Sequence, residues 1–235
     1  MAQACIVYLM QPSFASGHCD WNQLKTRLEQ WPLYYYAAHY WPFHVEASIE
    51  LDEETWGLIQ QFFNTRKSHK GGNYAAWAGS LTPDIDEPSL RHTQPLYYAA
   101  SFGITSLIKK LLATDPGLNV NALGGRFDSP PVQVAVYRNH PAAVKLLLDA
   151  NANPMIPNSQ GESCWLWAYL RRHTEVQKIL SEYGVKRTKA DDAALRDRYD
   201  KFEPSTSDDS SPDEDYYVVH GYGGTLEEIQ KAWQH

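Results

Sequence analysis

Between residues 95 and 185 the apolar positions recur as a three-fold pattern. A short segment of small and apolar residues comes first, a polar turn follows, and a run of leucine, isoleucine or valine marks a second segment. The segments beginning at Pro95, Pro131 and Cys164 carry this pattern in register. Ala99, Ala135 and Ala168 coincide, as do Leu111, Leu147 and Leu180, and the alanine spacings are 36 and 33 residues. Each unit predicts a pair of helices, and no such pair can bury its apolar face alone. Stacked neighbours must therefore share one continuous core.

The residues within the units make the pattern specific. Gln94-Pro95-Leu96-Tyr97-Tyr98-Ala99-Ala100 resembles the T-P-L-H-x-A-A opening of an ankyrin repeat, with tyrosine where histidine is usual. Asn119-Val120-Asn121-Ala122 is similar to the D-V-N-A entry of the family's finger loop. Val144 to Pro154 is similar to V-x-L-L-L-x-x-G-A-D-P, with Asn151 in the glycine's place; asparagine is the next most tolerant residue at a left-handed helix end. The third unit keeps its glycine at Gly184. The resemblance implies an all-α fold, an ankyrin-repeat solenoid of at least three repeats. The 36-residue spacing places about three extra residues at 116–118 or at 124–126.

The flanks read differently, and the chain divides into a helical capping region (1–75), the repeat array (76–188) and a charged C-terminal part (189–235). Asp20 is an N-cap for a helix to Gln30, a Tyr/Trp-rich helix ends near Pro42, and a third helix covers 52–63. Tyr74-Ala75-Ala76-Trp77-Ala78-Gly79 is a degenerate repeat start, and Pro83 and Pro88 predict a loop before the first clear unit. Residues 33–44 resemble the Y-A-x-x-Y-W-P-x-H segment that precedes ankyrin arrays in fungal NACHT-ankyrin proteins, which are NLR-like sensors. With no G-x-x-x-x-G-K-[ST] in the sequence, the resemblance implies the C-terminal part of such a sensor without its NTPase. Residues 189–200 predict a charged helix. Residues 203–215 are acidic and have almost nothing to bury, so composition makes them a disordered linker. Tyr216-Tyr217-Val218-Val219 predicts a short strand, and the capping box at Thr225 to Glu228 starts a last helix. That apolar segment is a candidate for docking back onto the protein's own groove, and equally for binding another chain.

Charge narrows the partners. A net charge of -7 argues against nucleic acid and anionic membranes, and no run of lysines and arginines offsets it; Arg171-Arg172 and Lys109-Lys110, for instance, are no more than pairs. No stretch reaches the roughly 18 apolar residues of a membrane span. The start carries no basic n-region, and three scattered cysteines make no disulfide framework, so a cytoplasmic protein is expected, with the nucleus open as well.

No catalytic motif, metal site or cofactor site is expected. The nine histidines form no H-x-x-x-H spacing, and Gly221-Tyr222-Gly223-Gly224 lacks the third glycine of a phosphate-cradling turn. His140 and His173, 33 residues apart, fall in the family's inter-helix turn, where histidine is structural. Cys164 is expected to be buried and inert.

The resemblance implies that a protein partner meets the concave face, which is built from finger tips and outward positions of each first helix. Carried onto this chain, the first unit supplies Tyr98, Ser101 and Phe102, the second Val134, Tyr137 and Arg138, and the third Trp167, Leu170 and Arg171. The fingers add Arg126, Phe127, Met155 and Asn158. Aromatics and arginines are the composition of interface hot spots. An alternative is a small-molecule-binding protein or non-standard enzyme on the same scaffold. It predicts a closed, aromatic-lined pocket holding a histidine or a carboxylate, where protein recognition predicts an open groove.

Overall fold

The computed structural model describes residues 1–46 and 51–201. The three predicted units are three helix pairs: α7 (Pro95–Ser101) with α8 (Thr105–Thr114), α9 (Pro131–Tyr137) with α10 (Pro141–Asp149), and α11 (Cys164–Leu170) with α12 (Thr174–Glu182). First helices stack on first helices and second on second, and each pair packs internally. Ala99, Ala135 and Ala168 are buried where first helices meet, and small side chains let the backbones approach closely.

The turn inside each pair needs a left-handed residue. Gly103, Asn139 and Arg172 fill it with φ of 70°, 58° and 54°. The next residue in the later two units is a histidine that reaches back to the preceding unit. His140 Nε2 bonds the Ser101 carbonyl, and His173 Nδ1 bonds that of Val136, each at 3.0 Å. Burial lowers the pKa of both rings, which suits neutral turn-stapling groups. Fingers are stapled likewise: Asn153 N donates to Asn121 Oδ1 at 2.7 Å and Ser159 N to the Phe127 carbonyl at 2.8 Å.

Both expected insertion points are used. Asn119 and Asn153 cap the same Asx turn 34 residues apart, while the first helices start 36 apart at Pro95 and Pro131. Two extra residues thus precede Asn119, in a turn where Gly117 N bonds Asp115 Oδ1, and the third lies in the finger pinned by the Gly124–Ser129 bridge.

Among the described residues six α-helices precede the first clear unit and are together called the cap, which takes in residues 76–92 that the sequence assigned to the array: α1 (Ala2–Leu9), α2 (Trp21–Gln30), α3 (Tyr34–Glu46), α4 (Glu53–Asn64), α5 (Gly72–Leu81) and α6 (Glu87–His92). The expected N-caps Asp20 and Asp52 are present, the first with a full capping box to Gln23. Two expectations are corrected. Helix α3 does not end near Pro42 but runs through it. A proline there leaves the carbonyl four residues back without its helical donor, and Trp77 Nε1 fills the gap, donating to the Ala38 oxygen at 2.8 Å. The region of Pro83 and Pro88 is not simply a loop: Asp86 caps α6 and Pro88 occupies its first turn, where the missing N–H costs nothing.

Every residue of α5 is buried, including Tyr74 and Trp77. Its rings meet Tyr98 of α7, while α3 packs on α8. The cap therefore covers both helix rows of the first repeat. At the other end α13 (Lys189–Lys201) docks through its first turn. The buried Asp191 accepts from the Ser163 hydroxyl, which in turn accepts from Leu166 N at the start of α11. Met1–Leu195 forms one unit by internal contacts. The expected acidic linker, strand and last helix lie outside the described residues. No helix among the described residues is long and apolar enough to cross a membrane.

Candidate interaction surface

The first helices end in the turns that hold Gly103, Asn139 and Arg172, and the large side chains next to these turns form a strip across the repeats. In the second and third units Tyr137 and Trp167 meet edge to face at 4.7 Å between ring centres. Arg171 lies over both, 4.0 Å from the Tyr137 ring centre and 5.7 Å from that of Trp167. Arg138 approaches Tyr137 at 5.8 Å. A guanidinium on a ring face gains electrostatic attraction and loses little freedom on binding, so these side chains are held ready for contact.

Tyr97 links this cluster to the first unit. Burial raises its phenol to about 12, with the positive charges of Arg138 and Arg126 pulling the other way. Phe102, half-buried at the end of α7, meets Phe43 of the cap at 6.1 Å. From Phe43 the rings continue along α3 to Tyr40 and Tyr36, at 6.1 and 5.1 Å. The Tyr36 hydroxyl bonds His44 Nε2. Phe43 is 56% exposed and Tyr36 37%.

The structure therefore brings Tyr137, Arg138, Trp167 and Arg171 together and sets Phe102 against Phe43 and Trp77, with Ser101 and Leu170 half-buried at the ends of their helices. Phe127 and Met155 are exposed on successive fingers, joined by Leu123, which the sequence reading omitted. Arg126 is on the finger too, in an ion pair with Asp84.

Three expected contact residues are instead internal. Tyr98 is 6% exposed and wedged against Tyr74 and Trp77, at 5.9 and 4.8 Å, because α5 covers the face it projects from. Val134 is buried on α9. Asn158 is buried as well: its Oδ1 accepts from Gln160 N and Glu162 N and its Nδ2 donates to the Glu162 carboxylate, so it shapes the finger.

Tyr36, Tyr40 and Phe43 were missed. Their spacing of four and three residues is the signature of one helix face, but in a segment so rich in rings the exposed and buried faces look alike.

The aromatic cluster of the cap is filled by its own rings. Trp41, Phe62, Phe63, Tyr74 and Trp77 pack edge to face or tilted at 5.5–6.4 Å as a solid core. Burial also disarms the thiols: Cys164 is pushed up to about 12, and Cys5 and Cys19 are raised.

Residues 96–191 match the family model of ankyrin repeats, in three copies. The chain is 28% identical over 168 residues to the azaphilone pigments biosynthesis cluster protein L of Monascus ruber, across 65% of this chain and 34% of that protein. It is 32% identical over 81 residues to palmitoyltransferase Hip14 of Drosophila melanogaster, across 34% of this chain and 12% of that protein. The chain thus spans about a third or less of the curated relatives it matches. The helix pairs of residues 96–191 are an ankyrin-repeat array, and arrays of this kind generally mediate protein–protein interaction.

Proposed function

We propose that this chain is a protein-interaction module whose partner lies along the strip from Tyr36 and Phe43 of α3, across Phe102, to the Tyr137–Trp167–Arg171 cluster. The observation that carries this reading is the stacking of Arg171 over the paired rings of Tyr137 and Trp167 on a partly exposed face. Rings and arginines held in place in this way are the residue types that dominate binding energy at protein interfaces. The strip also crosses from cap to array, so the two regions would bind as one surface. The name of the Monascus relative, a pigment-cluster protein, gives a biosynthetic setting as one place to seek the partner.

The test places a photo-crosslinking phenylalanine analogue at Phe43, and separately at Tyr137, in the full chain exposed to native extract. The expected result is one and the same protein captured from both positions. Its retention should fall by roughly tenfold or more in a Tyr137→Ser/Trp167→Ser variant, since hot-spot truncations cost about 2 kcal/mol or more. Retention equal to that of the unaltered chain would overturn the proposal.

A further inference from the structure

Away from the strip, a cleft of about 430 Å³ opens between the end of α4 and the loop that follows α8. None of the strip residues lines it. Its volume falls in the roughly 300–1,000 Å³ range of ligand sites. Trp56 and Phe63 of the cap and Leu111 of the array give it an apolar floor. The Gln94 carboxamide, which can both donate and accept, stands at its array side beside that of Asn119, whose oxygen already accepts from Asn121 N and whose amide N–H groups are donors.

The cap side is cationic. Arg66 and Lys67 line the cleft, and His69 and Lys70 follow on the same turn, with no acid between 64 and 73. The turn is held firmly. The Thr65 hydroxyl donates to the Phe62 carbonyl at 2.7 Å and accepts from Tyr74 N at 2.9 Å, and Gly72 packs so closely that a Cβ there would lie 2.8 Å from the Thr65 oxygen. Among the described residues the five ion pairs engage neither Arg66 nor Lys67. Asp115, the acid in the lining, sits on the array side and accepts from Gly117 N. The lining thus has two cations against one anion in a chain whose net charge is -7.

We propose that this cleft binds a short acidic peptide segment of a partner protein. An apolar side chain of the segment rests on the Trp56–Phe63 floor, its backbone meets the Gln94 and Asn119 carboxamides, and its carboxylates face Arg66 and Lys67. The mixture of apolar floor, paired amides and localised positive charge fits a peptide. A nucleic acid would demand a basic surface throughout, which this chain lacks. The site stands apart from the strip, and neither reading depends on the other.

The experiment follows amide signals of the full, isotope-labelled chain during titration with the capped pentapeptide acetyl-Ala-Leu-Asp-Asp-Ala-amide and its twin bearing asparagine for aspartate. The expected result is saturable shifts at Gln94 and at 115–119 with the acidic peptide, weakening as salt is raised. Affinity should be lower by roughly tenfold or more for the asparagine twin, and likewise for the Arg66→Ser/Lys67→Ser variant, because a hydrogen bond to a charged group is the stronger kind. The Asp115→Asn variant should bind the acidic peptide more tightly, and a Tyr137→Ser/Trp167→Ser variant should bind it unchanged. Equal affinity for the two peptides, shifts indifferent to Arg66→Ser/Lys67→Ser, or no shifts at these residues would overturn the proposal.

Discussion

In the array, layers meet through small residues: Ala99, Ala135 and Ala168 recur at one position, and each is buried. In the cap the corresponding layer is filled by rings, with Trp77 touching Trp41, Phe62, Tyr74, Tyr98 and Phe102. The array repeats one local solution, so a change in one unit is felt mainly by its neighbours. The cap has a single solution that many side chains share. Periodic packing tolerates substitution and insertion, as the three extra residues before the second unit attest, whereas ring packing around one hub does not.

The sharpest way to break this comparison is Trp77→Ala. It removes the hub and leaves the Ala38 carbonyl without the donor that Pro42 cannot supply. A loss of about 3–5 kcal/mol is expected from the buried volume alone. Urea unfolding followed by circular dichroism measures it, and a loss below about 1 kcal/mol would mean that the cap is not built around this ring.

Acid should separate the two regions next. In the cap, burial holds His39 down to about 4. The neutral ring is then the folded form, so its stabilisation is fully present above the unfolded pKa of about 6.5 and is lost as pH falls toward 4. The loss is on the order of 3 kcal/mol. His140 and His173 in the array shift in the same direction. Urea midpoints at pH 7.5 and 4.5 should differ, and a His39→Gln variant should flatten the difference. An unaltered slope in that variant would assign the acid sensitivity to other groups, among them His18 of the cap and His140 and His173 of the array.

The smallest effect has the opposite sign. Arg172 occupies with φ of 54° the turn that Gly103 fills in the first unit. Arg172→Gly should therefore stabilise the third pair by up to about 1 kcal/mol, because glycine enters the left-handed region without a Cβ clash. The same measurement checks it, and a loss of stability would mean that the arginine side chain contributes more than its backbone strain costs.

The array was legible in the sequence because its signals are periodic and local: alanines in register, a polar turn before each second helix, leucines on one face. Its fingers were legible to the same degree, except that Asn158 turned out to shape the loop from within. The cap was read less well for a physical reason. Whether Pro42 ends a helix depends on what satisfies the Ala38 oxygen, and the donor is 39 residues away on Trp77. The burial of Tyr98 has the same origin, since α5, which covers it, carries no complete repeat motif. Tyr137 and Trp167 could be singled out from the repeat pattern, but the ring contacts that α3 makes follow only from how it lies against α8 and Phe102.

The enclosure of α5 also sets an order of events during synthesis. Trp77 and Tyr74 find their partners partly in residues that leave the ribosome before them, such as Trp41 and Phe62, and partly in residues that leave after them, Tyr98 and the Thr93 carbonyl that accepts from the Tyr74 hydroxyl. Until the first repeat emerges, this helix has one side covered and one side bare. The nascent cap therefore passes through an interval with its largest rings exposed, when chaperone engagement or premature self-association is most favoured. The first repeat ends that interval, and in this sense the array completes the folding of the cap as much as the cap seals the array.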